Sequence, residues 1–307
     1  NFMKKIIFMG TPDYASKVLE AFLKASDFKV LAIFTQPDKP QGRKNIITPP
    51  SVKKRALELD FAGEIFQPLS LKEQGISEQI SAFKPDFIVV AAYGQILPKS
   101  ILDLAPCINL HASILPKYRG ASPISQMILE GQKLNGISAM KMSQGLDDGD
   151  MLGFYLMDIT NKSAQDLFEQ FSNMAAKLAL KILREYENIV PLKQFNALAS
   201  KCKKIRKDDG LISLDMPAQA IWRKFLAYKP WPGVYLANGL KLLDISISLS
   251  KNNAKIGTIT NIGADSFSVA LSDGELIIKS LQEASKKPLD AKEYINGKRL
   301  KFGDSFC

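Results

Sequence analysis

The chain has one histidine among 307 residues, three cysteines and two tryptophans. Each scarcity excludes something. A single histidine, with Cys107, Cys202 and Cys307 each about a hundred residues apart, leaves neither a paired metal knuckle nor a disulfide framework, so no metal is expected. No apolar run approaches the roughly 20 residues that span a bilayer, and no long apolar leader opens the chain, so no membrane partner is expected and the cytoplasm is the expected compartment. The first glycine turn, Gly10-Thr11-Pro12-Asp13, lacks the Gly-x-Gly-x-x-Gly spacing that lets a backbone approach a pyrophosphate, which ranks a dinucleotide-dependent dehydrogenase low. Acid is scarce in one region only. The part before Pro191 holds 22 basic and 20 acidic residues, and the remainder holds 19 and 11, roughly +8 of the total +10. A sugar-phosphate partner is the natural counter-charge for that second part.

An apolar fraction of 46% suits ordinary folded cores, and the length allows two domains. Lys4 to Gly10 reads as a buried strand, followed by a helix from Asp13 to about Lys24. Further strands are expected at Lys29–Phe34, Glu64–Phe66, Asp86–Ala92, Cys107–His111, Gly136–Met142 and Leu152–Asp158. Helices are expected at Ser51–Leu59, Ser70–Phe83, Ser122–Glu130 and Ala164–Tyr186. Continuous apolar strands alternating with helices predict a mostly parallel, Rossmann-like α/β sheet. The stretch from Gln36 to Pro50, rich in proline, glycine and charge, is too long for a mere connector and reads as a surface loop. After Val190 the pattern breaks. Lys201-Cys202-Lys203-Lys204-Ile205-Arg206-Lys207 suits either a linker lying against phosphates or a solvated tether. Beyond it come a short strand at Ile212–Asp215, a helix at Ala218–Ala227, and short alternating runs up to Leu281, which predict a small β-barrel. The expected domains are therefore 1–189, a basic linker 190–209, and 210–307.

The lone histidine ends a strand-like run, two residues after an asparagine. Residues two apart on a strand share a face, so Asn109 and His111 can aim an amide and an imidazole at one volume. The acidic, turn-rich Gln144-Gly145-Leu146-Asp147-Asp148-Gly149-Asp150 can bring a carboxylate to that imidazole. Asn, His and Asp converging on one point is a toolkit for acyl transfer. Tyr93-Gly94-Gln95-Ile96-Leu97 follows a strand at the carboxyl end of the sheet, where open α/β folds place ligands; otherwise it simply leads into the next helix.

Asn109-x-His111, then Ser113-x-Leu115-Pro116, then Tyr118-Arg119-Gly120-Ala121, then Gly145-Leu146-Asp147-x-Gly149-Asp150 resembles the active site of the folate-dependent formyltransferases, most closely the branch acting on methionyl initiator tRNA. The resemblance implies a formyltransferase domain followed by an OB-like barrel, with 10-formyltetrahydrofolate as the formyl donor and initiator methionyl-tRNA as acceptor. No protein partner is expected, and the chain is expected to be a monomer. The resemblance also implies roles. Asn109 and His111 would donate hydrogen bonds to the oxyanion, stabilisation worth roughly 3 to 4 kcal/mol per donor in the best cases. Asp147 would orient His111 and help remove the amine's proton. Ser113, Ile114, Leu115 and Pro116, with Tyr93, Gly94, Gln95, Ile96 and Leu97, would hold the folate. Arg43, flanked by Lys39 and Lys44, would engage the acceptor end of the tRNA, and Lys201, Lys203, Lys204, Arg206 and Lys207 would meet its phosphates. Two departures stand out: Asp148 replaces the family's usual threonine, and the run after Arg43, often strongly basic, continues as Lys44-Asn45-Ile46-Ile47.

Overall fold

The computed structural model describes residues 3–42, 45–250 and 253–306. In chain order its strands and α-helices are β1 (Lys4–Gly10), α1 (Asp13–Lys24), β2 (Phe28–Phe34), β3 (Lys39–Gln41), β4 (Ile46–Thr48), α2 (Ser51–Glu58), β5 (Glu64–Phe66), α3 (Ile76–Ala82), β6 (Phe87–Ala91), α4 (Lys99–Leu102), β7 (Cys107–His111) and β8 (Arg119–Gly120). There follow α5 (Pro123–Leu129), β9 (Leu134–Lys141), β10 (Met151–Asp158), α6 (Ala164–Glu185), β11 (Lys201–Cys202), α7 (Ala218–Ala227), β12 (Val234–Tyr235), β13 (Lys241–Ser248), β14 (Ile259–Ile262), β15 (Phe267–Ala270), β16 (Glu275–Gln282), β17 (Leu289–Asp290) and α8 (Ala291–Lys298). The chain divides into two compact units. One comprises Asn1–Pro123, Leu134–Asp158 and Leu167–Lys203; the other comprises Ile124–Lys133, Ile159–Asp166 and Lys204–Cys307.

The first unit is built on a sheet with strand order β10-β9-β7-β6-β1-β2-β5. β5, β2, β1, β6 and β7 are parallel, and β9 is antiparallel to both its neighbours. Ile6, Ile7, Phe8 and Met9 of β1 are fully buried, as a central parallel strand covered on both faces requires. Each such side chain contributes about 1.5–3 kcal/mol through burial. α1 starts behind Pro12, carries Asp13 in its first turn and Lys24 in its last, and buries Tyr14, Ala15, Val18, Leu19 and Phe22 on one face.

From β1 the chain proceeds one way to β2 and β5, then crosses to β6 and β7 on the other side, so the switch point lies between β1 and β6. There the Thr11 hydroxyl donates to the Tyr93 carbonyl at 2.9 Å. Gly10 serves packing at this point. A Cβ on it would stand 2.6 Å from the Ala15 Cβ and 3.0 Å from the Ala91 carbonyl oxygen.

Three local expectations change. Only Ile76–Ala82 of the Ser70–Phe83 stretch is α-helical, because Gly75 adopts φ 89° and breaks the turn before it. The Gln36–Pro50 loop contains a hairpin, β3 against β4, and its base is tied down by Lys53 and Gln67, which both bond Asp38. The hydrogen bonds from Gln67 and Lys53 hold the Asp38 carboxyl below its ordinary range. Finally, Ile212–Asp215 forms no strand. Leu211 makes an isolated bridge with Tyr235, and Pro217, which has no N–H for a ladder, caps α7 instead.

The second unit carries the expected antiparallel strands, in the order β12-β13-β16-β15-β14 with β17 alongside β16. α8 was not foreseen. It begins with a capping box in which Asp290 accepts from Glu293 N at 2.7 Å and Glu293 from Asp290 N at 3.2 Å. Among the described residues no helix is long and apolar enough to cross a membrane.

Candidate active site

β7 lies between β6 and β9, with Asn109 opposite Val90 on one side and Met140 on the other. Its period of two sends Asn109 and His111 to one face, where they are 8% and 6% exposed. The loop after β9 brings Asp147 to them. Asn109 Nδ2 donates to Asp147 Oδ1 at 3.4 Å, and His111 Nδ1 stands 3.7 Å from Asp147 Oδ2. The Gly120 N–H donates to the same Oδ2 at 2.8 Å. The three residues expected to do chemistry are therefore gathered in one place.

The imidazole's other nitrogen decides its tautomer. Nε2 lies 2.9 Å from the Tyr118 carbonyl, and a carbonyl can only accept, so Nε2 carries a proton. Nδ1 is the nitrogen turned to Asp147. In the neutral ring Nδ1 is an acceptor, and it donates only once the ring is protonated. No residue type marks this constraint, because Tyr118 lies seven residues beyond the histidine and acts through its backbone.

Two glycines make the geometry possible. Gly120 has φ 118°, and a Cβ there would meet the Cys202 carbonyl oxygen at 2.4 Å. Asp147 itself sits at φ 50°, and a Cβ on Gly149 would lie 1.8 Å from the Lys141 carbonyl oxygen. Gly149→Ala should therefore displace the loop, costing about 1–3 kcal/mol of stability and lowering turnover together with it; an unchanged thermal midpoint would contradict this packing.

Asp148 is exposed, with its carboxylate taken by the Ser143 hydroxyl. It lines an open cleft of about 490 Å³ with Met142, Gln144 and Asp150, a cleft that includes none of the trio. Cys107 is in the core with Ile88, Val90 and Ile101. Burial pushes its thiol up to about 12, so it is no nucleophile at neutral pH.

The two segments expected to meet folate are internally bonded. The Ser113 hydroxyl donates to the Lys117 carbonyl, and the N–H groups of Ile114 and Leu115 donate to the Asn135 and Ser138 side chains. Leu115 packs on Met140, Met142 and Met151, and Pro116 is half-buried. Tyr93 and Leu97 turn into the core, the Gln95 side chain bonds the Leu71 N–H and the Pro68 carbonyl, and Gly94 and Ile96 are exposed.

Of the residues expected to meet tRNA, Arg43 and Lys44 lie outside the described residues. Lys39 is exposed on β3. Lys201, Lys203, Lys204, Arg206 and Lys207 are all exposed, and among the described residues none of these five side chains forms an ion pair; Arg206 bonds the Asp209 carboxylate through its backbone N–H. The segment from Leu167 to Lys203, which takes in the first part of the expected linker, is folded into the first unit. Leu192 and Met151 exchange hydrogen bonds at 2.8 Å, and β11 runs parallel to β8. Sequence reasoning missed what this segment also supplies, Gln194 and Asn196 beside the buried Arg119.

Residues 3–183 match the formyl transferase family and residues 204–299 its C-terminal domain. The chain belongs to the formyl transferase family. Among its relatives, the methionyl-tRNA formyltransferase of Campylobacter fetus subsp. fetus is 56% identical over 99% of this chain and 100% of that protein. That of Campylobacter hominis is 55% identical over 98% and 99%. Two solved structures share the formyltransferase fold. An N-formyltransferase from Helicobacter canadensis, in complex with folinic acid and dTDP-3-aminofucose, has a TM-score of 0.66 at 17% identity, covering 91% of this chain and 100% of that one. HypX from Aquifex aeolicus, in complex with tetrahydrofolic acid, has a TM-score of 0.61 at 13% identity, covering 96% and 47%. A formyl transferase takes its one-carbon unit from 10-formyltetrahydrofolate, which is the cosubstrate here.

Proposed function

We propose that the chain transfers the formyl group of 10-formyltetrahydrofolate to the α-amino group of methionine esterified to initiator tRNA. The observation that carries this reading is identity above one half along nearly the whole chain with proteins named for that reaction, together with the convergence of Asn109, His111 and Asp147. The amine attacks the formyl carbon, and the carbonyl oxygen becomes an oxyanion. His111 Nδ1, facing Asp147, takes a proton from the amine. The imidazolium so formed then donates through that nitrogen, stabilised by the carboxylate. The long 3.4 Å contact of Asn109 to Asp147 leaves its amide able to turn to the oxyanion. The carbon–nitrogen bond to tetrahydrofolate breaks, and the departing nitrogen receives the proton that His111 took from the amine, which returns the imidazole to its neutral form, so the protein's task is orientation, proton transfer and charge stabilisation.

Gly94 and Ile96, exposed at the switch point, and Ile114 and Pro116 beside Leu115 offer the folate backbone groups and apolar surface. Lys39, Arg43 and Lys44, with the basic run from Lys201 to Lys207, meet the tRNA. Residues 1–189 act as the catalytic domain, 190–209 as a basic linker and 210–307 as the OB-like tRNA-binding domain of a cytoplasmic monomer. The test is an assay of the purified chain with 10-formyltetrahydrofolate and methionyl initiator tRNA, beside a sugar amine and a control without acceptor. Formylation of the tRNA alone is expected. Release of formate without an acceptor, or transfer only to the small amine, would overturn the reading.

A further inference from the structure

The loop that carries Asp147 is braced by a residue that no sequence motif singles out. Gln194 is 8% exposed and uses both sides of its amide fully. Its Oε1 accepts Nε and Nη2 of Arg119 at 3.1 and 2.8 Å. Its Nε2 donates to the carbonyls of Asp147 and Gly149 at 3.0 and 2.7 Å. A guanidinium only donates, so Arg119 determines which end of the amide is oxygen and turns the NH2 toward the loop. Arg119 is itself 7% exposed, adds a bond to Asn196 Oδ1 at 2.9 Å, and among the described residues pairs with no carboxylate. A buried cation solvated only by side-chain amides is costly to keep, which suggests a purpose beyond packing.

We infer that Gln194 is a positioning residue for the transfer reaction, holding Asp147 in register with His111 from the segment that follows α6. Asp147 occupies the left-handed region at φ 50°, a conformation that aspartate adopts as a single residue more readily than most side chains do, and the hydrogen bonds to its carbonyl and carboxylate hold it there. Gln194 binds the carbonyl of Asp147 itself and that of the residue two beyond it, fixing the peptides around the carboxylate. Arg119 fixes Gln194 in turn, and Arg119 immediately precedes Gly120, whose N–H holds Asp147 Oδ2. The clamp therefore closes on the carboxylate from its backbone and from its side chain, and both arms run through Arg119-Gly120. The inference rests on the proposed reaction for its kinetic consequence, though not for the geometry.

Gln194→Glu is the decisive variant. It is nearly isosteric, keeps an oxygen for Arg119 and gives that cation a counter-charge, but it replaces the donor with an oxygen facing two carbonyls. Gln194→Leu removes both the acceptor for Arg119 and the donor to the loop. In the full chain, each should lower kcat about 100-fold while KM for either substrate stays within about threefold, and the thermal midpoint of Gln194→Glu should stay near that of the parent. Because the chain has one histidine, 15N resonances of the imidazole read the site without ambiguity, and the Nδ1 signal should move in both variants. Parent-like kcat in Gln194→Glu would overturn the inference, and so would unmoved His111 resonances. Should the parent chain fail to formylate methionyl-tRNA, the proposed reaction is what fails, and the histidine resonances still decide whether Gln194 governs the geometry between Asp147 and His111.

Discussion

Replacing His111 with alanine should lower kcat for formyl transfer by about a thousandfold while folate affinity largely survives. The magnitude combines two losses: the proton acceptor at Nδ1, worth about 10²- to 10⁴-fold in general acid–base catalysis, and the imidazolium that would donate to the oxyanion. The variant also removes a buried hydrogen bond, since Nε2 lies 2.9 Å from the Tyr118 carbonyl, which should cost about 1–3 kcal/mol of stability. The two effects are separable. The first appears in single-turnover rates at saturating substrate, and the second as a lowered thermal midpoint. The Cys202 thiol, 3.3 Å from the same carbonyl, remains as a weak partner, so the fold should persist. Turnover within a few-fold of the parent would remove His111 from the chemistry altogether.

Much of this site could be read in the sequence because the relevant information is local. The shared face of Asn109 and His111 follows from the period of a strand, and the buried run Phe87–Ala91 beside it marks the carboxyl edge where ligands gather. The acidic turn around Asp147 shows itself through its glycines. What could not be read is the set of distant polar partners. Gln194 stands in a segment without periodicity, and nothing in its neighbours indicates that its amide closes on the carbonyls of Asp147 and Gly149. The His111 tautomer is likewise set by a backbone group, which leaves no residue-type signature.

In the fold the parallel strands were legible for the same local reason. The helix expected from Ser70 overreached because Gly75 takes up a left-handed conformation that composition alone does not reveal. α8 does carry a local mark, since Asp290-x-x-Glu293 is a capping-box pattern at its start. The hairpin of β3 and β4 was hidden by proline and glycine. Pro40 lies within a paired strand, and Gly42, at φ 68°, supplies the turn after it.

Reversing the charge of Lys203, Lys204 and Arg206 together should weaken tRNA binding most at low salt and flatten its salt dependence, with little change in transfer from saturating tRNA. Each phosphate contact contributes about 0.7 to 0.9 to the slope of log K against log salt, so three lost contacts should reduce that slope by about 2 to 3. The structure favours a direct effect. All three side chains are exposed, and none is paired with a carboxylate among the described residues, so substitution breaks no ion pair and should leave the thermal midpoint unchanged. Lys203 follows β11 directly, and β11 is paired with the strand that holds Arg119 and Gly120. A phosphate bound at Lys203 would therefore lie one residue beyond the strand paired with the peptide whose N–H holds Asp147 Oδ2, which links that phosphate contact to the catalytic carboxylate through strand pairing. An unchanged slope would return the run to the status of a solvated tether and place the tRNA's electrostatic contacts elsewhere on the +10 chain.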